Sequence, residues 1–175
     1  MLRILLVSAI GVLPGARAWA ADVTPTGFLV RYELVIDGPA AKVYDSLLDV
    51  GSWWSDQHTY SGASRNLSID ARGGGCFCEK LPTGAVEHMR VVYLKANEAL
   101  RMSGALGPLQ AHGVAGAMTW RLSPADRGTK LDLTYSVGGF MAGGFEKIAP
   151  AVETVLKEQA DRLKRYVETG TPAAK

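Results

Sequence analysis

Apolar residues occupy every second position from residue 28 to residue 36, and charged residues such as Arg31 and Glu33 stand between them. This period of two predicts a strand with one buried face. The following Asp37-Gly38-Pro39 sequence ends the strand and is typical of a helix start, because proline is well tolerated in the first helical turn. A short helix is therefore expected after the first strand, and the Gly51–Ser55 segment is expected to end it or to add one more turn.

The chain from residue 64 to residue 137 keeps a strand pattern. Turns rich in glycine and proline interrupt it at short intervals. Strands joined by such short turns pair in antiparallel fashion. The predicted strands are Asn66–Ala71, Cys76–Leu81, Val86–Leu94, Ala99–Ala105, Ala115–Leu122 and Thr129–Val137.

The period changes to that of a helix after the glycine-rich segment 138–144. Val152, Leu156 and Leu163 lie at helical spacing, charged residues fill the other side, and Gly170 ends the pattern. A helix with one apolar stripe and a sheet with one apolar face bury both by packing together. The sequence thus predicts an α+β domain with a curved seven-stranded antiparallel sheet around a long C-terminal helix. A gap between the curled sheet and the straight helix is the candidate site.

The first twenty residues have the pattern of a signal peptide. Arg3 precedes an apolar run over residues 4–13, and Ala18-Trp19-Ala20 supplies the small-x-small pattern of a cleavage site. The run is too short for a permanent membrane anchor, which needs roughly 20 apolar residues. We expect cleavage after Ala20 and a periplasmic or secreted protein. The predicted organisation is a signal peptide over 1–20, a linker over 21–26, one domain over 27–170 and a tail over 171–175.

Removal of the leader would leave a neutral protein. The chain has 19 basic and 17 acidic residues, and Arg3 and Arg17 lie in the leader, so 19 − 2 = 17 basic residues remain against 17 acidic ones. Proteins that bind nucleic acid normally carry a strong basic excess. We therefore expect no nucleic-acid partner.

Three motifs and the closing helix resemble the START-like (SRPBCC) superfamily, whose domain is called the helix-grip fold. The motifs are the Gly38–Tyr44 helix start leading to Trp53-Trp54, the Gly74–Glu79 strand entry and the Gly128–Leu131 strand opening. The chain looks most like bacterial members related to polyketide cyclases and dehydrases and to activators of the heat-shock ATPase. The resemblance implies the fold and leaves the activity open, because the superfamily includes lipid carriers, hormone receptors, cyclases and oxygenase subunits.

The densest group of polar residues lies on two successive strands. If Pro82-Thr83-Gly84 is a three-residue hairpin loop, Cys78 faces His88 and Cys76 faces Arg90, whereas a two-residue turn shifts this pairing by one. The alternation does not decide which side of the sheet is buried. The group consists of Cys76, Cys78, Glu79, Glu87, His88 and Arg90.

Several chemistries are conceivable for this group, and none is complete. Two thiolates and an imidazole give only three local metal ligands, so we expect no metal and no cofactor. A disulfide between Cys76 and Cys78 is compatible with an oxidising compartment, although residues i and i+2 of a strand lie at the edge of disulfide geometry. A Cys78 nucleophile with His88 as base lacks an orienting third group. Glu79 or Glu87 could act as an acid or base if buried.

Aromatic residues after the short helix are expected at the mouth of the gap. One of Trp53 and Trp54 is expected to pack in the core and the other to face a ligand, together with His58 and Tyr60. Trp120 and Tyr135 could line the gap from their strands, although single aromatic residues on strands are usually core. The predicted ligand-binding residues are Trp54, His58, Tyr60, Cys78, Glu79, His88, Arg90, Trp120 and Tyr135.

The function predicted first is binding of a lipid, an aromatic compound or another small apolar metabolite by an exported protein. The alternative is a polyketide cyclase/dehydratase-like enzyme that acts on a hydrophobic substrate by acid–base chemistry. The sequence leaves open whether the protein is an enzyme, because no complete catalytic set is apparent. A cytosolic chaperone partner is not expected, because the leader would take the protein out of the cytosol.

Overall fold

The computed structural model of the chain describes residues 18–173, with the backbone alone for residues 18–20. None of the helices in this range is both long and apolar enough to cross a bilayer. The strands are Ala18–Thr24 (β1), Gly27–Ile36 (β2), Leu67–Ile69 (β3), Cys76–Leu81 (β4), Gly84–Lys95 (β5), Ala99–Ser103 (β6), Gly113–Pro124 (β7) and Thr129–Phe140 (β8). The α-helices are Ala40–Leu48 (α1), Val50–Trp53 (α2) and Ile148–Thr169 (α3), and short 3-10 helices span Asp56–His58, Ser64–Asn66 and Gly107–Ala111.

All eight strands form one antiparallel sheet in the order β1-β2-β8-β7-β6-β5-β4-β3. The predicted α+β class and the long C-terminal helix are confirmed, but the sheet has eight strands where the sequence pattern predicts seven. The additional strand is β1, which covers the last residues of the predicted signal peptide and most of the predicted linker. Asp22, Val23 and Thr24 of β1 are all exposed, so the strand lacks the alternation that reveals a buried face. Residues 1–17, the rest of the predicted signal peptide, lie outside the described residues.

Helix α3 packs its apolar stripe against the concave face of the sheet. Leu156, Ala160, Leu163 and Val167 are fully buried there. Burial of a leucine-sized side chain contributes about 1.5–3 kcal/mol, so this stripe is a main source of the stability of the domain. The helix ends at Gly170, whose left-handed backbone (φ 79°) gives the C-terminal cap that the sequence pattern predicts.

Large aromatic side chains fill one part of the space between helix and sheet. Trp53 packs edge-on against Trp120 with ring centroids 6.0 Å apart, and Phe28 packs against Phe145 at 5.8 Å. All four side chains are buried. The gap predicted from the sequence is therefore closed in this region, and a cavity remains beside the first half of α3.

The β4–β5 hairpin contains a bulge that decides which side chains face the helix. Leu81 pairs with Gly84 across a two-residue turn, Phe77 pairs with Met89, and Cys78 pairs with Glu87. His88 is therefore the extra residue of a β-bulge, and both it and the adjacent Met89 are buried. The conditional pairing of Cys78 with His88 across a three-residue loop is wrong, because the turn is one residue shorter. The predicted pairing of Cys76 with Arg90 occurs, because the bulge restores the register.

Candidate functional site

A cavity of about 320 Å³ lies between the first half of α3 and the far end of the sheet, and it is partly open to solvent. This volume is at the lower end of the roughly 300–1,000 Å³ range of small-molecule sites. Its walls are mostly apolar, so water inside it is poorly bound. The lining residues are Trp54, Gln57, His58, Thr59, Tyr60, Leu67, Phe77, His88, Leu106, Gly107, Pro108, Ile148, Ala151, Val152, Val155 and Leu156.

The segment that follows α2 forms one wall, and polar side chains of α3 hold it in place. Fully buried Gln159 accepts a hydrogen bond from the Ser55 amide at 2.8 Å. The Arg162 guanidinium donates to the carbonyl oxygens of Trp53 and Trp54, at 2.8 and 3.2 Å. The polar groups of this irregular segment are thus paired although the segment packs against the core.

His58 and Tyr60 lie at the outer part of this wall. The His58 imidazole is 3.0 Å from the Glu158 carboxylate of α3, and the His58 carbonyl oxygen accepts a hydrogen bond from the Trp54 indole at 3.0 Å. Tyr60 remains 54% exposed although it lines the cavity. Both residues are therefore placed to contact a molecule that enters from solvent.

Four rings contact one another along the cavity. Trp54 packs edge-on against Phe77 at 5.7 Å, and Phe77 lies 5.1 Å from the ring of His88. Tyr60 stacks on His88 at 5.9 Å with an interplanar angle of 29°. The imidazole is consequently fixed between two aromatic neighbours that also line the cavity.

A buried carboxylate–imidazole pair lies at the base of this aromatic wall. Glu79 is 0% exposed and His88 is 5% exposed, and Glu79 Oε2 lies 3.0 Å from His88 Nε2. The same carboxylate accepts hydrogen bonds from the backbone amides of Tyr60, at 3.0 Å, and Ser61. Glu79 thereby ties β4 to the wall segment, which fixes both the segment and the imidazole.

The surroundings favour ionised Glu79 and neutral His88. Burial alone raises the pKa of the Glu79 carboxyl, but hydrogen bonds from Ser61, Tyr60 and His88 outweigh it and hold that pKa below its usual value. Burial lowers the pKa of His88, and the hydrogen bond and charge of Glu79 oppose this only in part. Near neutral pH the site therefore holds a carboxylate and an uncharged imidazole.

Three of the predicted ligand-binding residues, Cys78, Glu79 and Arg90, lie on the hairpin but outside the cavity lining. Cys78 forms a disulfide with Cys76, with Cα atoms 5.3 Å apart, so neither side chain is a free thiol. The bulge after Phe77 accompanies this close approach of residues i and i+2. Arg90 is exposed and bonds to the carboxylate of Glu87 and, at 2.8 Å, to the Gly74 carbonyl oxygen. Within residues 18–173, no three His, Cys, Asp or Glu side chains converge as metal ligands.

Trp120 and Tyr135 also lie outside the lining, because their strands are covered by the filled part of the core. Tyr135 nevertheless supports a cavity wall. Its hydroxyl donates to the Gly104 carbonyl oxygen at 3.1 Å and accepts from the Leu106 amide at 2.9 Å. Burial of this hydroxyl raises the pKa of Tyr135 to about 12. The tyrosine thus fixes the loop that brings Leu106 to the cavity.

Most residues of the aliphatic wall are not among those predicted from the sequence. Ile148, Ala151 and Val152 belong to the first turns of α3, where the apolar stripe continues beyond the strands that it covers. That excess of apolar residues at the start of the helix is the signal that could have revealed them. Leu106 and Pro108 come from a connection without periodicity, and no sequence signal points to them.

An antiparallel sheet curved around a C-terminal helix, with a cavity between the two, defines a helix-grip protein. The chain belongs to the polyketide cyclase / dehydrase and lipid transport family, whose model matches residues 28–168. This match confirms the resemblance drawn from the sequence motifs. Among curated proteins, none matches the chain in sequence.

Solved structures share the fold at low sequence identity. CalU16 from Micromonospora echinospora has a TM-score of 0.60 and 16% identity, over 90% of this chain and 86% of CalU16. An uncharacterised protein from Rhizobium leguminosarum has a TM-score of 0.62 and 15% identity, over 80% of this chain and 93% of its own. The Aha1 dimer from Colwellia psychrerythraea has a TM-score of 0.58 and 17% identity, over 81% and 97%. At these identities the likeness concerns the fold alone.

Proposed function

We propose that the protein binds a small, largely apolar molecule in the cavity between α3 and the sheet. The observation that carries this proposal is the open, mostly apolar space of about 320 Å³ in a domain whose core is otherwise filled by large side chains. Binding of an apolar guest in this cavity is favourable, because each Å² of apolar surface that it removes from water contributes roughly 25 cal/mol. Membership of a family described by polyketide cyclase, dehydrase and lipid transport members supports a hydrophobic guest.

The two walls suggest a guest with a flat face. Trp54, Tyr60 and Phe77 form an aromatic wall, and Ile148 and Val152 of α3 belong to the aliphatic wall opposite. Aromatic side chains offer large contact areas at little cost in conformational entropy. A ring-containing molecule or a lipid of moderate size fits this arrangement.

We also propose that the protein acts outside the cytoplasm, after cleavage following Ala20. The Ala21 amide nitrogen lies 3.1 Å from Glu153 Oε2 of α3. Cleavage would turn this amide into an ammonium group opposite the carboxylate, so the new terminus would gain an ion pair. N-terminal sequencing of the protein from a periplasmic or secreted fraction tests this, with Ala21 expected as the first residue. A first residue at position 1 would contradict it.

Binding is tested by native mass spectrometry of the purified protein, with a search for a co-purifying small molecule. The matched variants are Ala151→Trp, which places an indole at the lining of the cavity, and Thr154→Trp, an exposed position on the same helix that is not part of the lining. We expect the Ala151→Trp variant to lose the bound molecule and the Thr154→Trp variant to retain it. Equal retention in both variants would contradict binding in this cavity.

One observation favours a second function, a cyclase/dehydratase-like enzyme. The Glu79–His88 pair places an oriented, neutral imidazole at the cavity wall, and such a group can accept a proton from a bound substrate. If the protein is an enzyme, the His88→Gln variant should still bind the co-purified molecule. It should no longer convert that molecule or its hydroxylated precursor. Unchanged turnover would remove this pair from any mechanism and leave the binding function.

A further inference from the structure

The disulfide between Cys76 and Cys78 lies on the face of the sheet that points away from α3. Phe77 and Glu79 alternate with the two cysteines along β4 and are buried on the concave side, so the cysteines project from the opposite side. Both cysteines are partly exposed, and neither lines the cavity. The bond therefore lies at the protein surface, apart from the candidate functional site.

The fold around this bond is held mainly by other contacts. Only one residue separates the two cysteines, so the bond restricts the unfolded chain little. Backbone pairing joins β4 to β3 on one side and to β5 on the other. Phe77 and Met89, which pair across β4 and β5, are both core residues. We therefore expect the reduced protein to remain folded, which is required of a bond that opens and closes.

The two cysteines have different neighbours on the adjacent strands. Cys76 pairs with Arg90, and Cys78 pairs with Glu87 on β5 and with the small, exposed Ser68 on β3. The ion pair between Arg90 and Glu87 thus has its basic residue opposite one cysteine and its acidic residue opposite the other. A thiolate is stabilised by a nearby cation and disfavoured by a nearby carboxylate. Cys76 is consequently the better leaving group, and Cys78, beside the small serine, is the more open to attack.

We propose that Cys76–Cys78 is a site of thiol–disulfide exchange with a polypeptide that carries two cysteine thiols. A thiolate of the partner attacks Cys78 Sγ, the bond between the two Sγ atoms breaks, and its electron pair leaves on Cys76 Sγ, which takes a proton from solvent. The second thiolate of the partner then attacks the mixed disulfide and releases the Cys78 thiolate, which is protonated in turn.

The exchange transfers two electrons and two protons. The two thiols of the partner lose them and become a disulfide, and the Cys76–Cys78 disulfide gains them and becomes two thiols. A low-molecular-weight disulfide such as glutathione disulfide is the oxidant that restores the bond. This site does not depend on the cavity, so its failure would leave the proposed binding function intact.

The position of attack is tested on the folded wild type. The oxidised protein is mixed with reduced glutathione, the reaction is stopped with an excess of N-ethylmaleimide, which blocks free thiols, and peptide mass spectrometry locates both modifications. We expect glutathione on Cys78 and the maleimide on Cys76. Glutathione on Cys76, or a bond that opens only after denaturation, overturns the inference.

The exchange itself is measured with a synthetic peptide that carries two cysteine thiols. Oxidised wild type should convert the peptide to its disulfide, and added glutathione disulfide should allow repeated turnover at a rate above that of glutathione disulfide alone. The Cys76→Ser/Cys78→Ser variant is the control and should add nothing to that rate. Equal rates with the wild type and with this variant overturn the inference.

Arg90 is a positioning residue in this scheme, because it acts through the Cys76 thiolate. Arg90→Gln should slow oxidation of the peptide roughly threefold, the size of an exposed charge effect, and Arg90→Lys should restore most of the rate because it keeps the charge. Arg121→Gln, which changes an exposed arginine on β7, is the matched control and should leave the rate unchanged. A rate that falls equally in Arg90→Gln and Arg90→Lys overturns this role.

Discussion

His88 Nε2 lies 3.0 Å from Glu79 Oε2, and both side chains are buried beneath the aromatic wall of the cavity. The contact exists because a bulge turns His88 to the same face as Glu79, although regular pairing would have placed the two differently. Buried pairs of this kind are costly unless every polar atom is bonded. Protonation or removal of either partner should therefore change the free energy of unfolding.

Acidification should reduce the stability of the protein in two stages. The pKa of His88 in the fold lies below its ordinary value of 6.5, so the unfolded chain takes up this proton first and stability declines as the pH falls below about 6.5. The pKa of Glu79 lies below its ordinary value of 4.5, so a further decline begins below about pH 4.5. Urea unfolding at pH values from 8 down to about 3 measures both stages.

The His88→Gln variant should lose the first stage, whatever its overall stability, because glutamine does not titrate. His112→Gln, which changes an exposed histidine, should keep the wild-type profile. An unaltered slope between pH 6.5 and 5 in His88→Gln would show that another group is responsible.

Removal of the carboxylate should be strongly destabilising. Glu79→Ala leaves the amides of Tyr60 and Ser61 and the His88 ring nitrogen without their acceptor. We expect a loss of about 3 kcal/mol in the free energy of unfolding. Glu87→Ala on the adjacent strand is the comparison and should cost under about 1 kcal/mol, because its ion pair with Arg90 is exposed. Similar losses in the two variants would contradict a structural role for the buried carboxylate.

The disulfide should make a small contribution to stability. Cys76 and Cys78 are separated by only one residue, so the bond closes a very short loop and restricts the unfolded chain little. The chain-entropy model gives about 1.5 kcal/mol for such a loop. Thermal unfolding of the Cys76→Ser/Cys78→Ser double variant, beside oxidised wild type, measures this. A loss of 4 kcal/mol or more would mean that the bond also maintains the bulge, and His88 should then become exposed.

Tyr135 should stabilise the cavity wall from outside the cavity. Tyr135→Phe removes the hydroxyl that bonds the Gly104 carbonyl oxygen and the Leu106 amide. We expect a loss of about 1–2 kcal/mol and faster hydrogen exchange at the Leu106 amide. Tyr93→Phe, at an exposed tyrosine, should change neither quantity. Slow exchange at Leu106 in Tyr135→Phe would show that the loop has other support.

The fold could be predicted from the sequence where an element has one buried face, because apolar and polar residues then recur with a regular spacing along the chain. β4 has the predicted bounds, and the period-two pattern of β2 agrees with its alternating burial. β1 escapes prediction because it is held by backbone pairing with β2, and its described side chains from Asp22 onward are exposed. Edge strands of this kind leave no pattern in the sequence.

The site is less predictable, because two of its determinants are not local. His88 and Met89 are consecutive and both buried, which only the pairing with β4 explains. The aromatic side chains of Trp120 and Tyr135 could line a ligand site, but they do not reach the cavity. Trp53 and other large side chains fill the space in front of them. Distances between elements, and not residue types, decide these cases.

The attachment of residues 53–58 to α3 limits how the cavity can admit a large molecule. Gln159 and Arg162 join this segment to the helix, whereas Glu79 joins its continuation to the sheet. The segment therefore cannot swing outward as an independent gate. A bulky molecule therefore has to enter through the side of the cavity that is already open to solvent, past the half-exposed ring of Tyr60.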